Sequence, residues 1–141
     1  MLLDTNALLL PVRTRFPLEA EVNRIRPGAQ IAVPTSVLEE LDRLVVRGVR
    51  GARAAAAFAR NFGTVPVSAR GDRAVVLAAI ERHGWVVTAD RALAERLRDS
   101  GVTVLVPRDR HRLELKPGRS HGAVSTLRVP RAEPARRRQR L

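Results

Sequence analysis

Apolar and polar positions along this 141-residue chain fall into short apolar runs separated by helical stripes. Leu2-Leu3-Asp4 reads as a short first strand that ends on an acid. Pro11 to Pro17 breaks the chain, and Leu18 to Ile25 has helical spacing stopped by Pro27-Gly28. Gln30 to Pro34 predicts a second strand, after which Thr35 or Ser36 caps a helix from Val37 to about Arg47. Beyond a break over residues 48–51, Ala52 to Arg60 is helical by its alanine content and ends near Asn61-Phe62-Gly63. Thr64 to Val67 is a weaker strand, and Asp72 to His83 a helix closed by Gly84. Trp85 to Thr88 reads as a buried strand from its β-branched run. Arg91 to Asp99 then predicts a helix ending at Ser100-Gly101, and Val102 to Val106 a final strand.

Strands alternating with helices of about ten residues imply an α/β protein whose mostly parallel sheet carries helices on both faces. No internal repeat is visible. After Pro107 the alternation fails, leaving a short strand near residues 112–115 and a Pro/Arg-rich stretch from Pro130 that is expected to be mobile. The organisation read from the sequence is thus one α/β unit over 1–106, a basic extension over 107–129 and an Arg-rich tail over 130–141.

Composition narrows the class. With 45% hydrophobic and 28% charged residues, the chain can enclose a core and is not of the disordered type. No apolar run approaches the ~20 residues of a membrane helix, and Leu8-Leu9-Leu10 is too short and too close to an acid for a signal peptide. The absence of cysteine excludes a disulfide framework and a thiolate metal site, so a cytoplasmic protein is expected. The formal charge of +12 is uneven: 15 basic against 11 acidic residues up to Val106, then 11 against 3. A basic tail on a modestly basic core points to a polyanion, and to nucleic acid rather than membrane, because no amphipathic lipid-facing helix accompanies it.

The acids add chemistry to this frame. Ligands of open α/β sheets sit beyond the carboxyl ends of the strands. Asp4 ends the first strand, and Asp90 lies two residues past the Trp85–Thr88 strand. At about 100° per residue, Val37, Leu38, Leu41, Leu44 and Val45 share the core-facing arc of their helix. Glu40 lies just outside that arc, whereas Glu39 projects to water. Asp72 falls in line with Val76, Ala79, Ile80 and His83, which predicts an inward face. Each acid also has a plainer reading: Asp72 and Asp90 as helix caps, Glu40 as a rim charge paired with Arg43 or Arg47. Asp4 has no helix to cap within easy reach on this reading. Several carboxylates on one edge would repel one another unless a cation neutralised them, and hard oxygen donors without Cys favour Mg²⁺ or Mn²⁺. His83, His111 and His121 lack the paired spacing of a zinc site.

Four stretches, LLDTN at 2–6, VPTSVLEEL at 33–41, GDRAVVLAA at 71–79 and VVTADRAL at 86–93, together resemble a PIN domain over roughly residues 1–106. The resemblance implies a three-layer α/β/α fold and a metal-dependent endoribonuclease acting on single-stranded RNA. Carried over by position, Asp4, Glu40, Asp72 and Asp90 would hold the metal, with Asn6 and Thr88 as polar helpers and Ser36 as a further one. The segment RDRHRLELKPG is similar to archaeal PIN proteins related to small-subunit ribosomal RNA processing factors, which implies pre-rRNA or a ribosomal subunit as partner. Dimerisation is common among PIN domains, so a homodimer is a further implied partner.

Phosphodiester cleavage by metal-activated water needs acids to hold the ion and no side-chain nucleophile. Arg47, Arg50 and Arg53 near the central break, and Arg136, Arg137, Arg138 and Arg140 in the tail, are the expected phosphate contacts. Two other functions compete: the toxin of a toxin–antitoxin pair, whose partner would be an antitoxin, and a non-catalytic RNA-binding or assembly protein whose acids only cap helices. There is no G-x-G-x-x-G and no P-loop to suggest a nucleotide cofactor.

Overall fold

The computed structural model describes residues 1–119. Its strands are β1 (Leu2–Leu3), β2 (Ala32–Pro34), β3 (Gly63–Val65), β4 (Val86–Val87), β5 (Val104–Pro107) and β6 (Leu113–Lys116). They form one sheet in the order β3-β2-β1-β4-β5-β6. Every neighbouring pair is parallel except β5 and β6, where Val104 faces Lys116 and Pro107 faces Leu113 in an antiparallel turn-back. The helices are α1 (Thr5–Thr14), α2 (Leu18–Ile25), α3 (Thr35–Val46), α4 (Ala52–Ala59), α5 (Gly71–Arg82) and α6 (Arg91–Asp99). The result is the three-layer α/β/α arrangement that the alternation predicted. Among the described residues no helix is long and apolar enough to cross a membrane.

The central strands are apolar on both faces because both faces are covered. Leu3, Val33, Val86, Val87, Val104 and Leu105 are fully buried, and Leu8, Leu41 and Leu97 pack on them from the helices. From β1 the chain moves outward through β2 to β3, then returns to the other side of β1 for β4 and β5. Such a reversal leaves a crevice at the carboxyl ends of the strands flanking it. Here those strands are β1 and β4, which Asp4 and Asp90 follow.

Several local expectations are corrected. Pro11 does not open a break: it sits inside α1, which continues to Thr14 and closes on Arg15 with φ 56°. Proline in a helix interior costs about 3 kcal/mol. Burial of Leu8 and Leu9, each contributing roughly 1.5–3 kcal/mol, offsets it. Asp4 therefore does have a helix to cap. It is the N-cap of α1, accepting the Ala7 amide at 2.7 Å.

The helix expected from Val37 starts two residues earlier, and neither Thr35 nor Ser36 caps it. The Thr35 hydroxyl instead accepts the Val67 amide at 3.0 Å and donates to the Val67 carbonyl at 3.2 Å, tying α3 to the loop after β3. Helix α5 begins at Gly71, so Asp72 is not its cap. Val76 and Ala79 face inward as predicted, joined by Val75 and Ala78, but Asp72, Ile80 and His83 are exposed.

The sheet continues past residue 106 into β6, whose edge is clamped by α2. Glu21 accepts the Leu113 amide at 2.9 Å and the Arg24 guanidinium at 2.8 and 3.0 Å, while Arg24 also donates to the Leu113 carbonyl at 3.0 Å. Farther on, Gly118 lies so close to Gly101 that an added Cβ would collide with its carbonyl group. Arg119 then reaches Glu95 and Asp99 on α6 at 2.5 and 2.6 Å. The tail over 130–141, with its four expected phosphate contacts, lies outside the described residues.

Candidate active site

Asp4 follows the last residue of β1 directly, and its amide still bonds the Val87 carbonyl of β4 at 3.3 Å. The backbone is thus held by the sheet while the carboxylate turns into the crevice. Its Oδ1 takes the Ala7 amide of α1, and its Oδ2 accepts the hydroxyl of Thr88. Only 4% of Asp4 is exposed. Burial pushes its pKa up to about 6, against the lowering effect of the Thr88 and Ala7 hydrogen bonds, and the negative charges of Asp90 and Asp72 push the same way as burial.

Thr88 is fully buried at the end of β4 and serves both acids. While its hydroxyl donates to Asp4, its oxygen accepts the Asp90 amide at 3.0 Å. Asp90 in turn caps α6 through the Leu93 amide at 3.0 Å, which engages its Oδ1. From the other side of β1, Glu40 on the second turn of α3 is fixed by the Thr5 hydroxyl, which donates to its Oε1 at 2.7 Å.

Asp4, Glu40, Asp72 and Asp90 all line one cleft of about 230 Å³, together with Asn6, Ser36 and Arg43. Acids from four different elements thus converge on one edge of the sheet. Their electrostatics differ from the expected crowding, however. Glu40 and Asp72 are exposed and Asp90 is half-buried, so water screens three of the four charges. Among the described residues, no three acidic or histidine side chains close into a cage that could hold an ion by themselves.

The donor set nevertheless suits a hard divalent ion of the Mg²⁺ type, which takes one or two carboxylates and keeps several of its waters. One further observation supports a ligand here. Ser36 Oγ, buried and lining the cleft, has no hydrogen-bond partner among the described residues. An unpartnered buried hydroxyl is destabilising unless something else occupies its hydrogen bond.

Of the polar helpers implied by resemblance, Asn6 is exposed in the cleft and Thr88 stands behind Asp4. Two participants were not anticipated from the sequence. Thr5 orients Glu40, a role that needs α1 and α3 to be adjacent and so has no signal in sequence. Arg43, expected from its i, i+3 spacing only as an ion-pair partner of Glu40, instead lines the cleft with no ion-pair partner among the described residues. Arg47, Arg50 and Arg53 are exposed but do not line the cleft. The Arg50 carbonyl instead accepts the Arg13 guanidinium at 3.1 and 3.0 Å.

An α/β/α domain whose carboxylate-lined cleft lies where the strand order reverses has its candidate site where open α/β sheets bind their ligands. The family model described as a PIN like domain matches residues 1–110. Among solved structures, the chain is similar to the PIN domain endonuclease Utp24, with a TM-score of 0.70 and 19% identity over 82% of this chain and 90% of that one. No curated protein matches the sequence. The chain belongs to the PIN-like domain family, and its fold is that of a PIN domain nuclease.

Proposed function

We propose that the protein is a divalent-metal-dependent endoribonuclease that cleaves single-stranded RNA. The observation that carries this reading is the single cleft lined by Asp4, Glu40, Asp72 and Asp90 beside the unpartnered hydroxyl of Ser36. Asp4, Glu40 and Asp90 would hold the principal Mg²⁺ or Mn²⁺ ion, directly or through its waters, with Asp72 sharing it or a second. When bound, the ion supplies charge neutralisation at the scissile phosphate and an activated water.

The chain's own residues do the rest. Thr88 fixes the rotamer of Asp4, and Thr5 that of Glu40, so the acids are held before any ligand arrives. Asn6 and Arg43 face the cleft and are positioned to touch substrate. A guanidinium without an ion pair can bind a phosphate oxygen without first breaking a protein contact. The products expected are 5′-phosphate and 3′-hydroxyl ends. The segment RDRHRLELKPG supports ribosomal RNA maturation as the setting. A small acidic gene directly upstream would favour the toxin role instead.

The test is cleavage of a single-stranded RNA with Mn²⁺ and after EDTA, comparing wild type with Asp4→Asn. Cleavage that requires Mn²⁺ and is abolished in the variant supports the assignment; an unchanged rate in the variant removes it. A second reading has its own support: Asp4 and Asp90 do cap helices, as they would in a non-catalytic RNA-binding protein. A melting temperature indifferent to Mg²⁺ and Mn²⁺ would favour that reading.

A further inference from the structure

The acidic cleft does not end at Asp90. A second hollow of about 510 Å³ shares Asp90 with it and runs between α6 and β6 over Ala94, Val106 and Pro107. A third, about 610 Å³, shares Leu10, Pro107 and Arg108 with the second and reaches Phe16. Sharing these residues, the three hollows adjoin one another as a trough from the acidic cleft past Pro107 and Arg108 to Phe16, with apolar and charged side chains in its lining.

The cations of that lining are the less committed partners. Arg91 and Arg110 have no ion pair among the described residues. Arg108, 64% exposed, meets Asp109 only at 3.7 Å, and Lys116 meets Glu114 only at 3.9 Å. Two of the acids beside them are more fully engaged, whereas Glu114 meets only Lys116 among the described residues. Glu95 is bound to Arg119 at 2.5 Å and to Arg98 at 3.4 Å, and Asp109 accepts the amides of His111 and Arg112 at 2.8 and 3.0 Å. The lining is thus mixed, with Arg13, Arg91, Arg108, Arg110 and Lys116 against Asp90, Glu95, Asp109 and Glu114, and its uncommitted cations are the guanidiniums of Arg91 and Arg110.

We propose that this trough is the path by which single-stranded RNA leaves the acidic cleft, its phosphates lying along Arg91, Arg108 and Arg110 and its sugars and unpaired bases over the apolar side chains. The proposal rests on the reading of the cleft as a ribonuclease site. The uncommitted guanidiniums select a polyanion, and continuity with the cleft selects the substrate itself. The apolar side chains of the lining select a strand whose bases are not hidden in a duplex. Phe16 is buried, so contact is with aliphatic surface and guanidinium planes rather than with an exposed ring.

The test measures binding of a labelled single-stranded RNA to the full chain in EDTA, across a salt series, and cleavage of the same RNA in Mn²⁺. Arg108→Glu/Arg110→Glu is expected to weaken binding at least tenfold and to reduce the log–log salt slope by about two. It should raise KM and leave kcat within about twofold, while Arg60→Ala, an exposed change on another face, leaves all of these unchanged. If wild type binds and cleaves but the double variant matches it, the trough is wrong and the cleft stands. If the loss follows Arg47→Ala/Arg53→Ala instead, the strand runs the other way over α3 and α4 and the trough is again wrong. If wild type neither binds nor cleaves the RNA, the ribonuclease reading fails and the trough with it.

Discussion

Thr88 and Asp4, eighty-four positions apart in sequence, are joined by a buried hydrogen bond in which the threonine hydroxyl donates to the carboxylate. Because the same hydroxyl oxygen accepts the Asp90 amide, one side chain fixes two acids on neighbouring strand ends. Hydrogen bonds to a charged group contribute about 1.5–3 kcal/mol, and a buried acceptor left without its donor loses that stabilisation. Thr88→Val should therefore lower the unfolding free energy by about 2 kcal/mol in urea. Thr88→Ser should restore most of it. Equal stability of the valine variant would show that the hydroxyl has no structural role.

Asp4 makes stability depend on pH in a defined direction. Its pKa is raised from 3.8 to about 6, so the folded state holds the proton more tightly than the unfolded chain. This contribution is fully present below about pH 4 and is lost as pH rises through 6. The two-unit difference corresponds to at most about 3 kcal/mol. In EDTA at pH 7.5, Asp4→Asn should melt at a higher temperature than wild type, with the gap closing towards pH 4. A variant that is less stable at both pH values would mean that the hydrogen bonds of the carboxylate outweigh the cost of burying its charge.

A divalent ion should compete with that proton. At a concentration one hundred times its dissociation constant, an ion that binds only the folded state adds about 2.7 kcal/mol. Mn²⁺ is expected to raise the melting temperature of wild type at pH 7.5 by several degrees, less below pH 6, and not at all for Asp4→Asn. Differential scanning calorimetry across pH reads all three.

Ser36→Ala separates a site residue from a packing residue. Its hydroxyl has no partner to lose, so replacing it with a methyl group should leave the metal-free protein equally stable or slightly more so. Cleavage or Mn²⁺ affinity should nevertheless fall, by about tenfold if the hydroxyl meets a bound ligand. A variant that is less stable and fully active would give Ser36 a purely structural role.

At the β6 edge of the sheet, Glu21 has the reverse pH sign. The Arg24 guanidinium hydrogen-bonded to it holds its pKa down from 4.5 to about 2, with the Leu113 amide adding to the effect. Its contribution is present above pH 4.5 and is lost as pH falls through 2. Arg24 and Arg112 are about half exposed, so solvent screening limits the effect to roughly 1 kcal/mol. Glu21→Gln should destabilise the protein by about that much at pH 7 and flatten its acid unfolding below pH 4.5. Amide exchange should rise first in β6.

Much of the fold was legible because it depends on local pattern: β-branched runs, helical stripes and Gly or Pro stops mark five of the helices and all of the strands. The remaining helix, α1, shows the limit. Pro11 is a strong local signal against helix, and what overrides it is burial of Leu8 and Leu9 against a core assembled from distant segments. The capping role of Asp4 was hidden for the same reason, since its cap exists only if α1 does.

By itself the sequence determined which residue types end each strand, and so which acids could meet at the edge of a parallel sheet. It also determined the charge asymmetry and the absence of thiol chemistry. Only the tertiary structure decided how those acids share their surroundings: Asp4 dry and held by Thr88, Glu40 steered by Thr5, Asp72 open to water, and Arg43 beside them. Helical and strand periods are fixed by backbone geometry within a few residues. The burial of Asp4 and the Thr88–Asp4 and Thr5–Glu40 bonds belong to contacts between segments far apart in the chain, which no local pattern encodes.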